Sequence, residues 1–381
     1  MADAVMEKHC VSKVFTKDSR LASIADIEPG LDRLWGQFNQ DINDSNAVIM
    51  RACMSNLIIY CDTPQEAEQI NQEISVIADE HPARVILLIE NGKPSNGSIG
   101  ADIALYYTPL DDGWQVCAER IDIRATSAMK ERLPYVTRTL LVGDLPTTLW
   151  WVSQRPAPVA GEVFYQLAEL ANQVIYDNVG WVNPVQGVAM MTRWVEAQQN
   201  TQVVHNLAWR RFTYWRKLIG QVLDPQVAPG ALEKLHSIEV RHGPHALAPT
   251  WLLTGWLASR LNWQSVDGKA LSDSELIWRF KTKTQEIKIH VVRMPEGDPL
   301  IYRILFNWGS KAEPNRICFE RVDKERIGIV EALSTIPARL FTAQVPARAE
   351  LVAAQLAQRN RDKIFESALK ASQAMTAVFQ K

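Results

Sequence analysis

The chain has 381 residues, long enough for roughly two domains, and 47% hydrophobic residues let it bury a large core without a metal or disulfide staple. A formal net charge of −2 argues against a polyanion or an acidic membrane surface as the main partner. No apolar run reaches the roughly 20 residues of a spanning helix, Met1 to Cys10 lack the apolar stretch of a secretory leader, and the five cysteines are scattered with no C-x-x-C pair. These features predict a cytoplasmic, globular protein.

The first 22 residues lack periodicity and read as a tail. A short helix follows, with Ile27, Leu31, Trp35 and Phe38 near one face, then a polar linker over 41–46. A strand builds toward Leu57-Ile58-Ile59-Tyr60-Cys61. Next comes Thr63-Pro64-Gln65-Glu66, a capping box with proline at the first helical position. Its helix carries Ala67, Ile70, Ile74, Ile77 and Ala78 on one face. Arg84-Val85-Ile86-Leu87-Leu88-Ile89 then reads as a parallel strand covered on both sides, which completes a βαβ unit. A loop over 91–100 precedes strands at 103–107, 114–125 and 147–152, a helix at 135–142, a helix at 162–171 and a strand at 174–176.

The second half changes texture. A helix over 206–223 meets a Pro/Gly-rich break at 224–230, and an apolar helix covers 250–261. Strands at 276–280, 286–294, 300–306 and 316–322 follow, a pattern of antiparallel β against helices. A terminal helix begins near Arg348, and its apolar pattern is interrupted over 358–363, which suggests projection from the body. The predicted fold class is a Rossmann-like α/β N-terminal domain without a dinucleotide-binding glycine turn, followed by an α+β domain. The expected organisation is a tail and short helix (1–45), the α/β domain (46–200), the α+β domain (201–340) and a C-terminal helix (341–381).

A βαβ opening invites a nucleotide, but the turn after the first strand is Cys61-Asp62-Thr63-Pro64. It has no glycine to let a pyrophosphate approach, Pro64 lacks an N–H donor, and Asp62 repels phosphate. Walker A, H-E-x-x-H and G-x-S-x-G patterns are all absent, and no nucleophile–base pair can be nominated from spacing. Arg241-His242-Gly243-Pro244-His245 holds two histidines three apart, but the Gly and Pro between them indicate a turn. No catalytic residue, cofactor or metal is therefore expected.

The densest constellation is 206–217, with four aromatics and four cations in twelve residues. On a helix, Ala208, Phe212, Trp215, Ile219 and Val222 share a core face, while Arg210, Tyr214 and Lys217 share another. Trp209, Arg210, Arg211, Tyr214, Arg216 and Lys217 are the candidate partner-binding residues, because Arg, Tyr and Trp dominate protein–protein hot spots. A solvated basic face with guanidinium stacked on indole is the plain alternative. Single-stranded nucleic acid is a third, disfavoured by the short patch and the slightly acidic chain; a nucleotide- or sugar-phosphate-binding enzyme on the α/β domain is a fourth.

Several segments resemble the OpcA family of glucose-6-phosphate dehydrogenase assembly proteins: Arg51…Asn56-Leu57-Ile58-Ile59-Tyr60, Leu149-Trp150-Trp151, Val174-Ile175-Tyr176-Asp177, the whole of 206–216, His242-Gly243-Pro244-His245 and Gly255-Trp256-Leu257-Ala258-Ser259-Arg260-Leu261. They stand in the family's order over about residues 25 to 330. The resemblance implies a non-catalytic allosteric activator that binds the oligomer of glucose-6-phosphate dehydrogenase, favours its active form and feeds the oxidative pentose phosphate pathway. It also implies thioredoxin as a second partner, with Cys61 and Cys117, read as strand neighbours, the redox candidates. Cys53 and Cys61 on one extended strand would lie about 26 Å apart, beyond disulfide reach.

Overall fold

The structure, a computed structural model, describes residues 13–376 apart from 18, 22, 43–47, 52, 92–98, 111–112, 199–200, 311 and 332–337; of 42, 48–51, 109–110, 113–117 and 331 it describes the backbone alone. Along the first half run β1 (Lys13–Phe15), β2 (Arg20–Leu21), α1 (Ile27–Ile42), β3 (Val48–Arg51), β4 (Ser55–Cys61), α2 (Pro64–Glu80), β5 (Ala83–Ile89) and β6 (Ile99–Leu110). Then come β7 (Gly113–Ala125), α3 (Leu133–Leu140), β8 (Thr147–Trp151), α4 (Glu162–Glu169), β9 (Gln173–Tyr176), α5 (Pro184–Ala197) and β10 (Val203–Asn206).

All ten strands share one sheet. Its centre is six parallel strands in the order β7-β5-β4-β8-β9-β10. The first of them in sequence, β4, is central, and the chain winds outward to one side and then to the other, the doubly wound arrangement of a Rossmann-type sheet. Beyond β7 the antiparallel β6 widens the sheet, and β1 and β2 pair with it.

Apolar alternation explains the double cover. In β4, Ile58 and Tyr60 enter one core cluster, while Leu57, Ile59 and Cys61 enter the other with Ile70, Ile74 and Ile77 of α2. Every residue of β4 and β5 is buried. The capping residue behaves as expected: Thr63 Oγ1 accepts from the Glu66 N–H at 3.2 Å, while the Glu66 carboxylate takes the Asp62 N–H at 2.8 Å.

The second half contains α6 (Leu207–Arg211), α7 (Thr213–Val222), β11 (Leu235–His242), α8 (Leu247–Arg260), β12 (Gln264–Ser272), β13 (Glu275–Lys281), β14 (Glu286–Arg293), β15 (Ile301–Gly309), β16 (Pro314–Arg321), β17 (Arg326–Glu331), β18 (Arg339–Thr342), α9 (Arg348–Leu356) and α10 (Lys363–Thr376). Its eight strands form a second sheet, β12-β13-β14-β11-β15-β16-β17-β18. The sheet is mixed rather than antiparallel: β11 and β14 run parallel because α8 and the β12–β13 hairpin return the chain to β11 from the far side.

Four expectations change. Short strands at Lys13–Phe15 and Arg20–Leu21 occupy part of the expected tail, held by backbone pairing to β6 that local sequence does not announce. The aromatic–cationic helix is two helices, broken at Phe212. The C-terminal segment is likewise two helices, and both pack: α9 lies on α2, while α10 lies on α8 and α5. The polar stretch over 358–363 is mostly the link between them. Of the linker expected over 41–46, residues 41–42 belong to α1 and 43–46 lie outside the described residues, as does most of the loop at 91–100.

The α8–α10 contact depends on Gly255. A Cβ built there would lie 2.2 Å from Ser372 Oγ and 2.4 Å from the Ala368 carbonyl, and Ser372 Oγ itself donates to the Trp251 carbonyl at 3.0 Å. Gly255→Val should therefore overpack the pair and cost about 1–3 kcal/mol, seen as a lower urea midpoint with unchanged slope. An unchanged midpoint would show that the helices separate freely.

Candidate functional site

In a doubly wound sheet ligands gather beyond the carboxyl ends of the strands, where the winding reverses. Here that point lies between β4 and β8. Three loops meet there: Asp62 follows β4, Glu90 follows β5, and Ser153-Gln154-Arg155 follows β8.

Their side chains bond to one another. The Arg155 guanidinium bridges Asp62 and Glu90, the Tyr60 hydroxyl donates to Glu90, and the Ser153 hydroxyl donates to Asp62. Lys130 adds a second cation 3.8 Å from Glu90. Tyr60 is fixed by stacking flat on Trp151, with ring centroids 4.2 Å apart, and the Trp151 indole N–H donates to the Arg155 carbonyl at 3.0 Å. Burial alone would raise the Glu90 carboxyl, yet the hydrogen bonds from Tyr60 and Arg155 and the charge of the two cations hold it below its ordinary value. Burial and the bond to Glu90 push the Tyr60 phenol well above its ordinary range. Two carboxylates, a proline and a glutamate-capped helix start face the space that a pyrophosphate occupies in nucleotide-binding sheets, and the donors such a ligand needs are committed.

Of this cluster the sequence pointed only to Asp62. Glu90, Ser153 and Arg155 carry a weak signal, polar residues directly after buried strands, and only the strand order shows that the three loops converge.

The candidate partner-binding residues divide. Trp209 is buried, its indole N–H donates to Asp362 at 2.7 Å, and Arg216 lies over its ring with the guanidinium carbon 3.4 Å from the centroid. Arg216 also donates to the Trp209 carbonyl at 2.6 Å, and burial lowers its pKa to about 10. Arg211 pairs with Asp177 at 2.7 Å. Half-buried Arg210 donates to the Gln358 side chain at 3.1 Å. Of the six, only Tyr214, 41% exposed, and Lys217 are exposed. The expected core face, Ala208, Phe212, Trp215, Ile219 and Val222, is buried throughout. The stripe is thus largely an internal clamp on the link between α9 and α10, joined there by His205, whose Nε2 lies 2.9 Å from the Gln358 carbonyl.

The cysteines do not meet. β5 lies between β4 and β7, and the registers set Cys61 opposite Ile89 and Ile89 opposite Arg124. Cys117 is therefore two strands and seven residues away, about 25 Å, so the expectation of strand neighbours fails. Cys61 is buried, and burial pushes its thiol well up; the Cys117 side chain lies outside the described residues. His242 is buried at the end of β11 with Nδ1 2.7 Å from the Gly243 carbonyl. Among the described residues no cluster of three metal-ligating side chains occurs, and no helix is long and apolar enough to cross a membrane.

Removing Arg155 leaves Asp62 and Glu90 facing each other with only Lys130 nearby. Arg155→Ala should cost about 1–2 kcal/mol at neutral pH, a modest figure because the guanidinium is partly exposed. Glu90 has a depressed folded-state pKa, so its contribution is present above the ordinary value of 4.5 and is lost as pH falls through the lower folded value. The gap between the parent and Arg155→Ala in urea melts should therefore narrow below about pH 4.5; a gap constant from pH 7 to pH 3 refutes the ion cluster.

Two family models, described as the glucose-6-phosphate dehydrogenase subunit N-terminal and C-terminal domains, match residues 74–193 and 202–369 and together cover well over half of the chain. Among curated relatives, an OxPP cycle protein OpcA of Nostoc punctiforme is 28% identical over 77% of this chain and 66% of its own length. The OpcA protein of Synechocystis sp. is 30% identical over 50% of this chain and 39% of its own. The chain thus spans between about two fifths and two thirds of the length of these relatives. Among solved structures, the MviM dehydrogenase of Clostridium difficile is 10% identical with a TM-score of 0.45, over 86% of this chain and 99% of that one. A super-repressor mutant of Gal80p from Saccharomyces cerevisiae reaches 7% and 0.45, over 86% and 96%. Likeness at that level decides nothing about cofactor or activity. The two subunit models in sequence order, with the OpcA relatives, establish that the chain belongs to the OpcA family of glucose-6-phosphate dehydrogenase assembly proteins.

Proposed function

We propose that this chain is a non-catalytic cytoplasmic partner of glucose-6-phosphate dehydrogenase that binds the enzyme's oligomer and favours its active form, supporting the oxidative pentose phosphate pathway. The match of both subunit-domain models, in order, carries this reading. The closed cluster at the strand ends agrees with it, because the site a redox cofactor would need is filled by the chain's own charges. Activation requires tighter binding to the active conformation than to the inactive one, and a tenfold shift needs about 1.4 kcal/mol of differential affinity. In this reading the docking face includes the outward residues of α7, Tyr214 and Lys217, with Arg210 at its border.

Mixing the purified chain with the dehydrogenase of the same organism should give co-elution and a lower apparent KM for glucose 6-phosphate. Neither effect appearing ends the proposal. Lys217→Glu combined with Tyr214→Ala should weaken the complex by about tenfold while the chain's melting midpoint holds, because both side chains are exposed. Full affinity in that variant moves the interface elsewhere on the molecule.

A further inference from the structure

A cleft of about 410 Å³ opens between the two sheets, where the loops after β8 and β9 face the loop after β11, the β12–β13 turn and the end of β14. Its walls are fixed before any ligand arrives. The Trp181 indole lies against Gly187 of α5, where a Cβ would come within 2.4 Å of the ring, and stacks on Tyr176 with centroids 6.0 Å apart. The Gln154 side chain crosses Gly180, whose φ of 81° suits glycine. The Gly180 N–H donates to the His245 carbonyl at 2.9 Å, which ties the loops of the two sheets together. His245 itself sits at φ 63°, a strained conformation of the kind that concentrates at ligand sites.

The polar groups on these walls are unspent. His242 is only 1% exposed, and its Nδ1–H donates to the Gly243 carbonyl, so Nε2 carries a lone pair with no protein partner among the described residues. Arg293 is the register partner of His242 on the neighbouring strand, so both project to the same side of the sheet. Arg293 forms no ion pair among the described residues, and Asp273 adds an acceptor at the rim.

We propose that this cleft binds a small organic anion bearing hydroxyl groups, of sugar-phosphate or hydroxy-acid chemistry. Arg293 and His245 receive the anionic group, Gln154, Asp273 and the His242 lone pair engage hydroxyls, and the carbon skeleton lies on Trp181. The volume falls within the roughly 300–1,000 Å³ of small-molecule sites, and the mixture of one aromatic wall with a few convergent polar groups is their usual lining. A bare phosphate would use Arg293 and His245 and leave the indole, amide and lone pair idle.

Isothermal titration of the full chain with fructose 6-phosphate, citrate and inorganic phosphate tests this, alongside Arg293→Ala, Gln154→Ala and, as an exposed control on the same sheet, Arg279→Ala. One of the two organic anions should bind one to one, at least tenfold more weakly to Arg293→Ala and to Gln154→Ala, and unchanged to Arg279→Ala. Which anion binds identifies the chemistry. The proposal is overturned by no saturable heat with either organic anion, by inorganic phosphate binding as tightly, or by equal loss in Arg279→Ala. No dehydrogenase enters the assay, so its outcome is independent of the assembly reading.

Discussion

A parallel sheet has no face to spare for water, and that constraint organises the whole chain. β4 and β5 are buried on both sides, and α2 covers only part of one of them. The rest of that face is closed by α9, which brings Leu351, Val352 and Leu356 into the same cluster and anchors Arg348 to Glu73 of α2 at 2.6 Å. The C-terminus must therefore return across the molecule, and the link from α9 to α10 arrives as irregular backbone with polar groups to satisfy. Gln173 donates to the carbonyls of Gln355 and Gln358, while Trp209 and Arg210 hold Asp362 and Gln358. Trp209 and Arg210 of α6 serve that need.

The same sheet sets a second constraint at its carboxyl edge, where several strand ends deliver their loops to one place. Many proteins use that convergence for a phosphate. In this chain it gathers two carboxylates, which are tolerable near the interior only with cations and donors around them. Arg155 meets the requirement, and Tyr60 and Ser153 complete it. Gln154, the residue before Arg155, turns the other way and lines the cleft between the sheets. One short loop thus closes the position where the winding reverses and leaves open the groove beside it.

Signals that live within one turn or one strand were legible in the sequence. The Thr63 cap, the double burial of 85–89, the core face of Phe212, Trp215 and Ile219, and the helix over α8 all depend on neighbours a few residues away. What failed depends on distant partners. Nothing local in Lys13-Val14-Phe15 says that β6 lies alongside, and alternation in β11 and β14 cannot reveal that they run parallel. Trp209 looked available because its acceptor, Asp362, lies 153 residues further on. Cys61 and Cys117 both sit on strands, as read, but the strand between them follows from the crossover order alone. The candidate site shows the same division: Asp62 could be read from its turn, whereas Glu90 and Arg155 gain meaning only once three loops are brought together.

The internal use of Trp209, Arg211 and Arg216 also bears on how a partner could dock. A stable interface buries about 800 Å² on each side, far more than Tyr214 and Lys217 supply between them. A contact centred on α7 must therefore extend past its two outward side chains, and the adjoining surface is the link between α9 and α10 that Arg210 touches through Gln358. Docking there would press on the segment that holds the C-terminal helices in place. Partner affinity and the order of that link would then be thermodynamically coupled, each shifting the other by the same factor.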